Sequence, residues 1–183
     1  MFVLGVDPGL SRCGYGVVER GAGGELRAVA GGVVRTSNDD PLPQRLHLLA
    51  GELRSLAAEH RPAVVVVERV LFQVNARTAM ATGQAAGIAL LTAAEGGCDV
   101  TEYSANEVKQ ALVGYGSATK SQVQRMVATV LGLPSPPDPP DVADALALAV
   151  CYLTGAGLRQ AVDASATRRH GPQPAASVTG GRS

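Results

Sequence analysis

The chain has 183 residues, 46 % of them apolar and 17 % charged, with no Trp and a formal net charge of zero. That length suits one domain whose core stands without disulfides, and Cys13, Cys98 and Cys151 are too widely spaced for a disulfide framework or a CxxC metal pair. No segment approaches ~20 uninterrupted apolar residues, and the first residues follow a strand pattern, so the expected location is the cytoplasm, away from any membrane. The charge is unevenly spread. Residues 1–157 carry 12 Lys plus Arg against 15 Asp plus Glu, and residues 158–183 carry four Arg against Asp163. The first segment alone repels a phosphate backbone, less so if some of its acids hold divalent cations that reverse the local sign.

In chain order, Phe2, Leu4 and Val6 alternate with Val3, Gly5 and Asp7, which predicts a short buried strand ending in an acid; Pro8 and Gly9 then stop it. Residues 14–19 (GYGVVE) and 26–36 (LRAVAGGVVRT) read as two further strands of an antiparallel meander, joined by a glycine-rich turn. Leu42, Leu46, Leu49, Leu53 and Leu56 form one face of a helix over residues 41–60, which Pro62 stops. The β-branched run AVVVV at 63–67 predicts a strand buried on both faces, ending in Glu68 and joined to the first strand by a right-handed crossover. A loop at 69–76 enters a helix over 77–94, whose Ala79, Gly83, Ala86, Gly87, Leu90 and Leu91 predict close packing on the sheet, a helix or a second copy of the chain. A fifth strand is expected at 98–103. Capping boxes at Ser104/Glu107 and Thr119/Gln122 open two more helices around the turn GYGSA. Within PSPPDPP at 134–140, Asp138 suits an N-cap and Pro139 the first position of a last helix. The expected domain is 1–157, followed by a disordered tail at 158–183, rich in small and polar residues.

Four acids need explaining. Asp7 sits where burial selects apolar residues, although an Asp also caps a Pro-Gly turn. Glu68 ends a buried strand, and Asp141 and Asp144 share one face of the last helix. Asp141 suits the helix dipole without further reason, whereas Asp144 borders a strongly apolar stretch. If the first and fourth strands are parallel neighbours, their carboxyl ends share an edge, and a helix crossing that face brings all four acids together. Oxygen donors without nearby His or Cys suit Mg²⁺ or Mn²⁺ over zinc. Two such ions about 3.5–4 Å apart serve in-line hydrolysis of a phosphodiester. Arg69, Phe72 and Arg77 follow Glu68, an arrangement that suits unstacked bases between phosphates but also fits a solvated loop with one apolar anchor. Lys109 and Lys120 are the only two lysines, and with Arg125 they lie near helix starts that favour phosphate.

The segments GVDPGLSRCGYGVVE, VVVVERV, GQAAGIAL, VKQALVGYGSATKSQVQRMV and DVADALALAV, in that order over residues 2–153, resemble the RuvC Holliday junction resolvases. The resemblance implies a ribonuclease H-like α/β fold with a five-stranded mixed sheet, three antiparallel strands followed by parallel crossovers, flanked by helices. It also implies a homodimer that nicks four-way DNA junctions symmetrically, leaving 5′-phosphate and 3′-hydroxyl ends, in recombination and repair with the RuvA and RuvB branch-migration proteins. By position Asp7, Glu68, Asp141 and Asp144 resemble the family's metal-binding acids, for two Mg²⁺ or Mn²⁺ per site. Lys109 and Lys120 resemble its basic residues near the substrate phosphates, with Lys120 taken as the catalytic one. The family commonly has a base-stacking Phe where this chain has Leu71; Phe72 follows, one residue along, where an extended segment turns its side chain the other way. Two other readings compete. Actin-like kinases share the DPG-type turn but need a second lobe, and a non-catalytic DNA-binding relative has no use for all four acids.

Overall fold

In the computed structural model, which describes residues 1–70 and 76–169, the elements are β1 (Phe2–Asp7), β2 (Arg12–Arg20), β3 (Leu26–Arg35), α1 (Leu42–His60), β4 (Val64–Glu68), α2 (Ala76–Glu95), β5 (Asp99–Tyr103), α3 (Ala105–Val113), α4 (Lys120–Val130) and α5 (Pro140–Arg169). The strands form one sheet in the order β3-β2-β1-β4-β5. Strand β2 pairs antiparallel with both β1 and β3, while β4 pairs parallel with both β1 and β5. This is the expected mixed sheet. Since β1 and β4 run parallel, Asp7 and Glu68 leave the sheet at the same edge.

Strand alternation sorts the core into two layers. Leu4, Val6, Val65 and Val67 pack with Leu49 and Leu53 of α1 and with Ala85, Ala86, Ala89 and Ala93 of α2. Val3, Val64 and Val66 face the other way, into a cluster with α3, α4 and Val142 to Leu153 of α5. On that second face β1 carries Gly5 between Val3 and Asp7. A Cβ at Gly5 would run into the Ala145 carbonyl, and one at Gly14, paired with Asp7 in the ladder, would run into the backbone and side chain of Asp141. The missing side chains let α5 lie directly on β1 and β2, which fixes the height of its first two turns above the strand ends.

Both capping boxes form. Ser104 and Glu107 exchange bonds at the start of α3, and Thr119 and Gln122 do so at the start of α4. Two expectations are corrected and one is narrowed. Helix α5 begins at Pro140, one residue later than expected, after a cis Asp138–Pro139 bond, and it is Pro140 that takes the first helical position, where a missing N–H costs nothing. On α2, Ala85, Ala86, Ala89 and Ala93 pack on the sheet side, whereas Gly83 and Gly87 are exposed with open space beside them, which leaves for the glycines the second-copy alternative. The 100° advance per residue puts the glycines on the opposite side from Ala85 and Ala89. On α1, Leu49 and Leu53 are buried while Leu42 at its start is exposed. The backbone of α5 continues past residue 157 to Arg169, through helix-favouring Leu, Arg, Gln and Ala; residues 170–183 lie outside the described residues.

Candidate active site

A pocket of about 350 Å³ opens at the carboxyl edge of β1 and β4. Asp7 and Glu68 reach it from the strand ends, Asp144 from the second turn of α5, Lys109 from α3 and Lys120 from the first position of α4. Ala105, Val108, Val123, Ala147 and Leu148 supply the apolar remainder of its wall. The sheet and three helices thus bring together five of the residues singled out from the sequence. Local chemistry explains two of the placements. The Thr119 cap starts α4 at Lys120, and the glycine contacts hold α5 low enough for Asp144 to face Asp7.

Three carboxylates in one partly apolar pocket disturb one another. Burial, then the charges of Glu68 and Asp144, push the Asp7 carboxyl up to about 7. Glu68 is also raised, by burial first, although the proton that Asp7 donates to it in a hydrogen bond works the other way. Lys120 Nζ lies 2.5 Å from Asp144 Oδ2. Burial draws that ammonium down, but Asp144, with Asp7 and Asp141 behind it, outweighs burial and leaves it above its ordinary value. With all three carboxylates ionised the site carries a negative excess over its two lysines, and the proton that Asp7 holds up to about pH 7 cancels it.

Asp141 is placed differently. It lies in the first turn of α5, but its carboxylate is turned to Arg12 at the start of β2, with Nη2 to Oδ2 at 2.5 Å and Nε to Oδ1 at 3.5 Å. The Arg12 hydrogen bond holds the Asp141 carboxyl below its usual range. Asp141 contributes charge to Asp7 without lining the pocket. Among the described residues no three His, Cys, Asp or Glu side chains are drawn together closely enough to hold a metal ion. The donor set nonetheless fits a hard cation, since Asp7, Glu68 and Asp144 offer carboxylate oxygens only, and their mutual repulsion is what a divalent ion relieves.

The remaining candidates lie around this centre. Arg69, just past β4, is exposed, donates to the Glu102 carbonyl at 3.2 Å and lies 3.6 Å from Glu107. Arg77 is exposed in the first turn of α2, and Arg125 is exposed on α4, outside the pocket wall. Leu71 and Phe72 lie outside the described residues. Sequence reasoning overlooked Arg12. Its only signal is its position five residues after Asp7, on the returning strand, one alternate residue from the Gly14 over which α5 begins.

A family model described as crossover junction endodeoxyribonuclease RuvC matches residues 3–152. Crossover junction endodeoxyribonuclease RuvC of Salinispora arenicola is 51 % identical over 168 residues, covering 92 % of this chain and 96 % of the relative. The Thermus thermophilus RuvC structure superposes with a TM-score of 0.81 at 37 % identity, covering 87 % of this chain and 97 % of that one. The same protein in complex with a Holliday junction substrate gives 0.79 at 34 % identity, over 86 % and 96 %. With its fold, the order of its motifs and nearly its whole length shared, the chain belongs to the RuvC family of crossover junction endodeoxyribonucleases.

Proposed function

We propose that this endonuclease resolves four-way DNA junctions by two symmetric, metal-dependent phosphodiester hydrolyses that leave 5′-phosphate and 3′-hydroxyl ends. The observation that carries the reading is the single pocket in which Asp7, Glu68 and Asp144 meet Lys109 and Lys120 at one sheet edge. Asp7, Glu68, Asp144 and, once released from Arg12, Asp141 are the residues to hold Mg²⁺ or Mn²⁺. When bound, such ions activate the attacking water and stabilise the leaving oxygen. Lys120, raised and exposed at the head of α4, offers its ammonium to the charge that develops on the phosphate, and Lys109 holds a neighbouring phosphate from α3. Arg69, Arg77 and Arg125 lie where flanking strands pass. Leu71 and Phe72, between Glu68 and α2, are the candidates to meet the unstacked base.

Symmetric nicking needs two sites, and the exposed side of α2 supports a homodimer. Met80 and Leu91 are 63 % and 49 % exposed, with Gly83 and Gly87 open between them. An apolar strip with small residues at its centre suits the close approach of a second copy. We assign the activity to recombination and repair in the cytoplasm, alongside the RuvA and RuvB branch-migration proteins. No helix among the described residues is long and apolar enough to cross a membrane.

The test is cleavage of a synthetic mobile four-way junction, with linear duplex and a nicked fork as controls, in Mg²⁺, Mn²⁺ and EDTA. Paired, ligatable nicks at the junction that vanish in EDTA are expected. Equal cleavage of all three substrates would reduce the chain to a general nuclease, and cleavage surviving in EDTA would remove the metal mechanism.

A further inference from the structure

Arg12 is the group that the site reading leaves unexplained. Its side chain is 40 % exposed, and its guanidinium grips Asp141, the one acid of the four that does not line the pocket. Its direct neighbour across the β2–β3 ladder is Arg35, so two arginines stand opposite each other on one face of the sheet. Like charges so placed repel unless an anion lies between or beside them. Beside Arg12 that anion is Asp141.

We propose that Arg12 is a metal-released DNA-binding residue. It holds Asp141 out of the pocket until a divalent cation claims that carboxylate, and the freed guanidinium then joins Arg35 on a backbone phosphate of the junction. The physical basis is competition. A guanidinium and a divalent ion both require the Asp141 oxygens, so each weakens the other's hold. Separation demands little rearrangement, because the close contact of Gly14 with Asp141 fixes the backbone and only two side chains must turn. Once Asp141 serves the cation, Arg12 lacks its anion beside the second arginine, and a phosphate has the shape and charge to replace it. Junction affinity and metal occupancy become linked through this one ion pair. Arg12 thereby acts on the metal site through Asp141, as a positioning residue, and on DNA directly.

This inference rests on the metal reading above, and the experiment separates the two. Mn²⁺ binding to DNA-free protein is followed by electron paramagnetic resonance for the unsubstituted chain, Arg12→Gln and Arg12→Lys. Loss of the competing cation is expected to lower the Mn²⁺ Kd of Arg12→Gln roughly three- to tenfold, with Arg12→Lys between, since a point charge replaces the fork. Salt dependence of binding to a fluorescent four-way junction is then measured in Ca²⁺ and in EDTA. In Ca²⁺ the slope of Arg12→Gln should be shallower by roughly 0.9 for each protomer engaged. In EDTA, where Asp141 occupies Arg12, the two proteins should share one slope. Should Arg12→Gln fail to fold, as judged by circular dichroism, Arg12→Lys carries the test, with a Kd below that of the unsubstituted chain as the expected result. If the unsubstituted chain binds no Mn²⁺, the metal reading fails and this inference with it. If it binds Mn²⁺ and the variants bind no more tightly, or the slopes differ equally in both conditions, the Arg12 assignment alone is overturned.

Discussion

The two faces of the sheet are built from the same strands but end differently. Towards α1 and α2, β1 and β4 present Leu4, Val6, Val65 and Val67, and the face stays apolar to its last residue. Towards α5, the intervening residues run Val3, Gly5, Asp7 on β1 and Val64, Val66, Glu68 on β4, from core through close contact to charge. One face is spent wholly on cohesion. The other supplies cohesion at its amino end and the acids of the candidate site at its carboxyl end, where the strands stop and α5 begins. A carboxylate of the candidate site is thus held by the same backbone that anchors the core, and its position inherits the core's rigidity.

The sharpest way to break this contrast is Asp7→Asn. Cleavage of the junction should fall ~100-fold or more while binding in Ca²⁺ persists, because a charged ligand is lost and the fold is not. The same substitution separates charge from cohesion. Between about pH 4 and 7 the folded protein keeps a proton on Asp7 that the unfolded chain has released, so metal-free stability falls as pH rises through that window. Asp7→Asn should flatten that dependence. In metal-free denaturation at pH 8 it should be the more stable protein, by up to ~3 kcal/mol.

Gly5→Ala attacks the joint between the two functions. Its Cβ meets the Ala145 carbonyl, and overpacking of this kind costs about 1–3 kcal/mol in urea denaturation. Because α5 carries Asp144, cleavage should drop as well, unlike the result of a mutation of equal cost on the other face. The opposite face is probed from outside by combining Met80→Glu with Leu91→Glu on exposed positions of α2. Sedimentation velocity should then show dimer dissociation at least ~10-fold stronger, with the folding of each subunit retained. The smallest effect is expected at Gly51 of α1, exposed with open space around its Cβ position. Gly51→Ala should raise stability by about 0.5–1 kcal/mol and leave cleavage unchanged.

How much of this was legible beforehand differs by residue. Asp7 and Glu68 stood out because each ends an apolar strand, and strand ends at a shared edge follow from parallel pairing alone. The Thr119/Gln122 capping box placed Lys120 at a helix start. Gly5, by contrast, read as one more residue in the alternation, and for Gly83 and Gly87 the sequence left open a sheet, a helix or a second copy, of which the buried alanines of α2 take the sheet. The one signal at Arg12, its place five residues after Asp7 on the returning strand, says nothing of its partner. Its partner is 129 residues away, and the pair exists only because β2 returns beneath the first turn of α5.

The chain's periodicities, caps and acid positions were therefore determined by the sequence itself, since they depend on neighbours within about one turn or one strand. The depth of α5 on the sheet, the turning of Asp141 to Arg12 and the side of α2 left open were decided only by the tertiary structure. Each of those follows from which backbones approach without a Cβ between them, and that is a property of two distant segments at once.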